Sequence, residues 1–244
     1  MSHETREWSL RRELAAAYRI FAHWGWDDLV FTHLSVKLPG EADHFLLNPF
    51  TLAFDEITAS SLLTVNFNGQ PIEGQDGITN PAGFVIHSAL HMGRADAVCV
   101  MHLHTEAGQV VSSLADGLLP VCQTSMIAAS GGVGYHEFEG IARDLDERKR
   151  LISDIGEANV LILRNHGTLT TGKTVGEAFL RMYFLERACR VQIQALASGS
   201  LHQPPVGMRE FVANQAERDF EAAASLAWPA IMRKVERLYP ETFE

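Results

Sequence analysis

The chain has 244 residues, of which 46% are hydrophobic and 20% charged, the proportions of a globular protein long enough to bury its own core. With 20 Lys and Arg against 30 Asp and Glu, its formal charge is −10, which speaks against nucleic acid as the main partner, because such a binder needs a cationic face to displace counterions. No long apolar run predicts a membrane span. The opening Met1-Ser2-His3-Glu4-Thr5-Arg6 lacks a signal peptide's apolar stretch, and Cys99, Cys122 and Cys189 read as reduced thiols of a cytoplasmic protein.

Residues 4–24 read as a helix, because Leu10, Leu14, Ala17, Tyr18 and Phe21 recur at spacings of three and four and stripe one face. Extended segments are expected at 29–38, 44–47 and 62–67, the last followed by Asn68-Gly69, a hairpin-turn pair that tolerates positive φ. Asn80 and Pro81 predict a capped helix start, with the helix running to about Met92. A buried strand is expected at 95–104, a helix at 105–114, a short apolar run at 118–122 and a loop at Gly131-Gly132. Asp144 and Glu147 suggest a capping box for a helix ending near Gly156, and 159–163 reads as an apolar strand. Thr174 and Glu177 repeat the capping pattern before a long helix that Gly199 stops. After a linker containing Pro204-Pro205, residues 209–244 read as a helical tail broken at Pro229. Interleaved helices, strands and hairpins predict a mixed sheet covered by helices, with residues 1–200 as one domain and 201–244 as its tail.

The chemistry concentrates at Met101-His102-Leu103-His104. Strand side chains alternate between faces, so His102 and His104 share one, and two imidazoles at the carboxyl end of a strand form a divalent-metal pincer. The plainer reading is a pair of core or surface histidines. His166 follows the apolar strand at 159–163, in Arg164-Asn165-His166-Gly167, where Gly167 lets the backbone bend. If the two strands are neighbours, three imidazoles converge on one cation and leave a position open, the pattern of a catalytic site. His87 and His91, four apart on a helix, read better as packing residues than as ligands. Tyr135 and His136, after the glycine loop, are candidate proton donors or simply loop residues. Gly131-Gly132-Val133-Gly134 does not match a phosphate loop, and neither a serine elbow nor an activated cysteine is present.

These motifs resemble the class II aldolase/adducin family. The resemblance rests on His102-Leu103-His104, Asn165-His166-Gly167, Thr32-His33-Leu34-Ser35, Asn48-Pro49, Asp55-Glu56-Ile57-Thr58 and Tyr135-His136-Glu137-Phe138-Glu139-Gly140, and spans roughly residues 10 to 200. It implies an α/β fold, three-layer α/β/α with a mixed central sheet, and a homotetramer with sites between subunits. It also implies zinc, manganese or iron held by His102, His104 and His166. Substrate loops matching those of the family carry His33, Ser35, Asn48, Thr79 and Asn80, with Gln123 a weaker candidate.

The chain departs from the patterns of the family's enzymes. The acid/base glutamate that precedes the His-x-His strand in the sugar-phosphate aldolases is absent from Ile78-Thr79-Asn80-Pro81-Ala82-Gly83, and Gln123-Thr124-Ser125-Met126 lacks the acid of a dehydratase branch. The phosphate loops are altered as well, with His33 where asparagine is usual. Decarboxylation tolerates these losses, because the departing CO₂ leaves electrons that need a sink and not a base. The expectation is therefore a metal-dependent carbon–carbon lyase that decarboxylates a small hydroxyaromatic, keto or hydroxy carboxylate. The alternatives are an aldolase or retro-aldolase on an unphosphorylated substrate, a non-haem iron oxygenase, and a non-catalytic adducin-like scaffold.

Overall fold

A computed structural model of the chain describes residues 3–40, 44–142 and 144–244. Helix α1 (His3–His23) turns its expected stripe inward: Leu14, Ala17, Tyr18 and Phe21 are fully buried. The Tyr18 hydroxyl accepts from the Leu34 N–H at 2.6 Å and lies 2.8 Å from Asn48 Oδ1, tying α1 to the sheet.

Three strands follow, β1 (His33–Lys37), β2 (His44–Leu47) and β3 (Leu63–Asn66), paired antiparallel in sequence. The Asn80 side chain caps α2 (Pro81–Gly93), accepting from the Ala82 N–H at 3.1 Å. Next come β4 (Cys99–Leu103), α3 (Glu106–Ser113) with Thr105 as its cap, α4 (Gln123–Ala128), β5 (Val133–His136), α5 (Glu147–Ile155), β6 (Val160–Leu163) and β7 (Gly167–Gly172). Two long helices end the chain, α6 (Val175–Ser198) and α7 (Met208–Leu238).

The seven strands form one sheet in the order β3-β2-β1-β4-β7-β6-β5, antiparallel throughout except for the β5–β6 pair. One face packs on α1, α3, α4, α6 and α7 through Leu34, Met101, Leu103 and Ile162. The other packs on α2 and α5 through Val100, Leu161 and Leu169. The expected three-layer α/β/α arrangement is the one observed. Trp228 and Val235 of α7 belong to the main core.

Four local expectations need correction. Strand β5 lies within the stretch read as a loop, and β7 was not anticipated: both are short and carry glycine, threonine or histidine instead of an aliphatic run. The two strands flanking the histidines are not neighbours, since β7 lies between β4 and β6. Asp144 does not cap α5: Asp146 holds that position, and the Asp144 side chain accepts from the Asp146 N–H. Helix α7 runs unbroken through Pro229, which is exposed, so the Ser225 carbonyl it leaves without an N–H can bond water, while Trp228 and Val235 anchor the helix on either side.

Proline in a helix interior is unfavourable, and its removal loosens the unfolded chain, so Pro229→Ala should raise stability by about 1–2 kcal/mol. Urea unfolding of the two chains reads this directly. A loss of stability would mean that the proline sets a bend the packing needs.

Candidate metal centre

His102 occupies the last turn of pleat in β4, on the face toward α2 and α5, opposite Leu169 of β7 and His33 of β1. His104 follows two residues on. His166 sits in the tight connection from β6 to β7, where Asn165 takes φ +55°, a conformation asparagine tolerates. Gly167 is needed for closeness more than for bending, because a Cβ there would come within 2.5 Å of the Leu103 carbonyl oxygen. That approach brings His166 beside the end of β4. The three rings lie with centroids 4.7–4.8 Å apart, and a nitrogen of each lies within 4.8 Å of the others.

Their hydrogen bonds define what the rings can do. His102 Nδ1 donates to the Thr168 carbonyl at 3.0 Å, and His104 Nδ1 donates to Asp28 Oδ2 at 2.9 Å. Both partners only accept, so in neutral rings both Nε2 atoms carry lone pairs. Those two atoms are 2.9 Å apart, acceptor against acceptor. A cation between them removes the repulsion, and imidazole is a ligand for zinc, iron and manganese alike. The residues present therefore fit a divalent metal held by His102, His104 and His166. Burial keeps two of the rings neutral: it pushes His102 well below the usual imidazole range, helped by His104 and His166, and lowers His166 to about 4, helped by His104 and His136.

The trio opens on a pocket of about 420 Å³ walled by Phe31, Phe50, Ile86, Phe138 and Ile141. Among the described residues that line it there is no Lys or Arg, and its one carboxylate is Asp28. The first residues of α2, Asn80 to Ala82, also face it, with the positive end of the helix dipole. A wider groove adjoins it, sharing His104 and Asp28.

Of the expected substrate residues, His33 and Asn80 line this pocket. Ser35 does not: its hydroxyl lies 2.5 Å from His87 Nδ1 and 2.6 Å from His91 Nε2, inside the layer beneath α2. Asn48 is buried against Tyr18, Thr79 donates to the Gly69 carbonyl, and Gln123 is exposed at the start of α4. Tyr135 lies on the opposite sheet face, where its hydroxyl accepts from the Leu118 N–H and its ring stacks under Arg164. His136 is buried outside the pocket lining, with Nδ1 donating to Asp154 at 2.7 Å. Sequence reasoning missed Asp28, which no spacing relates to His104, and the aromatic wall. The exposure of Phe31, Phe138 and Ile141 marks that wall only once the fold brings them together.

The sequence matches the family described as Class II Aldolase and Adducin N-terminal domain over residues 12–193. A solved aldolase II superfamily protein from Pseudomonas syringae is 45% identical with a TM-score of 0.91, covering 98% of this chain and 96% of that one. The L-fuculose 1-phosphate aldolase from Glaciozyma antarctica PI12 is 32% identical with a TM-score of 0.84, covering 98% and 94%. Alpha-adducin of Rattus norvegicus is 40% identical over 201 residues, which are 81% of this chain and 27% of that protein.

Replacing His102, His104 or His166 by Ala should abolish stoichiometric metal retention while leaving the circular dichroism spectrum largely intact, because each change removes one ring at the end of the sheet and none of its backbone pairing. Asp28→Asn should weaken metal affinity by about 10- to 100-fold, the usual effect of removing a carboxylate that orients a ligating imidazole. Elemental analysis and chelator competition measure both.

Acid should destabilise the metal-free chain. Burial, with a smaller contribution from Lys37, lowers His91 from 6.5 to about 4 against the opposing hydrogen bond to Ala97. Below pH 6.5 the unfolded chain takes up a proton that the folded chain refuses, so this part of the stability is complete above that pH and falls away toward pH 4. Replacing His91 by Gln should make the stability–pH slope between those values shallower by about one proton.

Proposed function

The chain belongs to the class II aldolase and adducin family, and from that premise we propose that it is a metal-dependent carbon–carbon lyase that decarboxylates a small hydroxyaromatic, keto or hydroxy carboxylate. The observation that carries the reading is three convergent imidazoles facing an apolar, aromatic-walled pocket with no Lys or Arg among its described lining residues. An aromatic ring gains contact with Phe31, Phe50 and Phe138 in such a pocket.

When bound, the divalent metal supplies Lewis acidity that polarises a substrate oxygen. The chain's own residues do the rest. Thr168 and Asp28 hold the rings of His102 and His104 in the ligating tautomer. The aromatic wall gives a substrate ring its contact, and the amino end of α2 favours an anion beside it. Neither Tyr135 nor His136 reaches the pocket, so we assign the closing proton to water entering past Asp28, which faces both the pocket and the adjoining groove. A homotetramer working in the cytoplasm completes the proposal.

Similarity to an L-fuculose 1-phosphate aldolase favours a second reading, aldol cleavage of an unphosphorylated substrate at the same site. Assays of CO₂ release from hydroxyaryl and hydroxypyridine carboxylates and 3-keto acids, with Mn²⁺, Zn²⁺ or Fe²⁺, separate the two. Metal-dependent CO₂ release that His104→Ala abolishes is the expected result. Aldehyde formation in a coupled reductase assay, without CO₂, would replace decarboxylation by aldol cleavage. Silence in both assays would leave the adducin-like scaffold as the better account.

A further inference from the structure

Beneath the imidazole trio lies a second group of histidines that the lyase chemistry leaves unused. His33 of β1 stands opposite His102 of β4, with ring centroids 5.2 Å apart. Its Nδ1 is 2.8 Å from His87 Nε2. His87 Nδ1 is 2.5 Å from the Ser35 hydroxyl, which is 2.6 Å from His91 Nε2, and His91 Nδ1 is 2.8 Å from the Ala97 carbonyl oxygen. His33, His87, Ser35 and His91 are all at most 2% exposed.

One end of this chain of hydrogen bonds sets the direction of all of it. A carbonyl only accepts, so His91 Nδ1 carries the hydrogen and, in a neutral ring, His91 Nε2 accepts. Ser35 must donate there, which spends its one hydrogen, so it accepts from His87 Nδ1. His87 Nε2 is then a lone pair, and His33 Nδ1 must donate to it. The ring nitrogen left over, His33 Nε2, is an acceptor. Burial keeps the rings uncharged, pushing His87 well below the usual range and His33 to about 3. Of the four residues only His33 lines the pocket, its outer edge pressed against Gly83, where a Cβ would come within 2.6 Å of Nε2.

We infer that the Ala97–His91–Ser35–His87 chain locks His33 as a hydrogen-bond acceptor, and that the pocket selects a ligand presenting a hydroxyl donor beside the oxygen held at the imidazole trio. The selection rests on the metal-site reading above, whereas the lock does not. A carboxylate at Nε2 would set acceptor against acceptor. The substrate's carboxylate, if it has one, belongs at the metal or at the amino end of α2.

Neutron diffraction from deuterium-exchanged crystals of the full chain reads the lock without metal or turnover. Deuterium is expected on His33 Nδ1 and not on Nε2, and the reverse occupancy would overturn the lock. Calorimetric titration of the Zn²⁺-loaded chain with catechol and with 2-methoxyphenol reads the selection, because the second probe replaces one hydroxyl hydrogen by a methyl group. Catechol should bind about tenfold more tightly. Ser35→Ala lets His87 change tautomer and turns His33 Nε2 into a donor, so the preference should vanish or reverse, and Ser35→Thr, which keeps the hydroxyl, should restore it. Equal affinities in the parent chain, or an unchanged preference in Ser35→Ala, would defeat the selection. Failure to take up Zn²⁺ would instead sink the lyase reading, leaving the deuterium positions to decide the lock.

Discussion

His102 and His104 have no choice of tautomer. Thr168 offers a carbonyl and Asp28 a carboxylate, and neither can donate, so each ring must spend its one hydrogen on Nδ1. Two lone pairs are thereby aimed at each other across 2.9 Å. In water such a pair would separate or take up a proton. Here the pleat of β4 puts both rings on one face and burial penalises protonation of His102, an arrangement that a cation between the two rings would relieve.

The sheet makes this arrangement possible. Antiparallel pairing places His33 opposite His102 on one side and Leu169 opposite it on the other, so His33 and His102 line the pocket together while Leu169 continues their row into the core. The short turn from β6 into β7 delivers His166 to the end of that row, and glycine at 167 lets the turn touch the Leu103 backbone. Leu163 and Leu169 on the same face belong to the core beneath α2 and α5, which removes water from the rings' surroundings. The rigidity of the core and the chemistry of the site are thus two consequences of one register.

The polar residues expected to grip a substrate divide according to how much of their hydrogen bonding the fold consumes. Asn48, Thr79 and Ser35 are short side chains beside backbone or buried partners, and they are used up there. His33 differs because a ring has two nitrogens on opposite edges, so it is tied to the interior by one while the ring still lines the pocket. Tyr135 and His136 are adjacent in a strand, so they necessarily point to opposite faces.

Local pattern was enough to find the first helix, the Asn80 cap, and the shared face of His102 and His104, because each depends on residues within a turn or a pleat of one another. The apolar strand and glycine turn at 159–167 offered His166 as a third ligand, and motif resemblance added the three-layer architecture. Strands β5 and β7 were hidden, since short glycine- and threonine-bearing segments become strands only when neighbours complete their hydrogen bonds. Asp28, the aromatic wall and the hydrogen-bonded chain from Ala97 to His33 were equally beyond reach of spacing. They join positions far apart along the polypeptide, and the direction of each proton is decided by the partner at the far end of the contact, which only the folded chain brings within hydrogen-bonding distance.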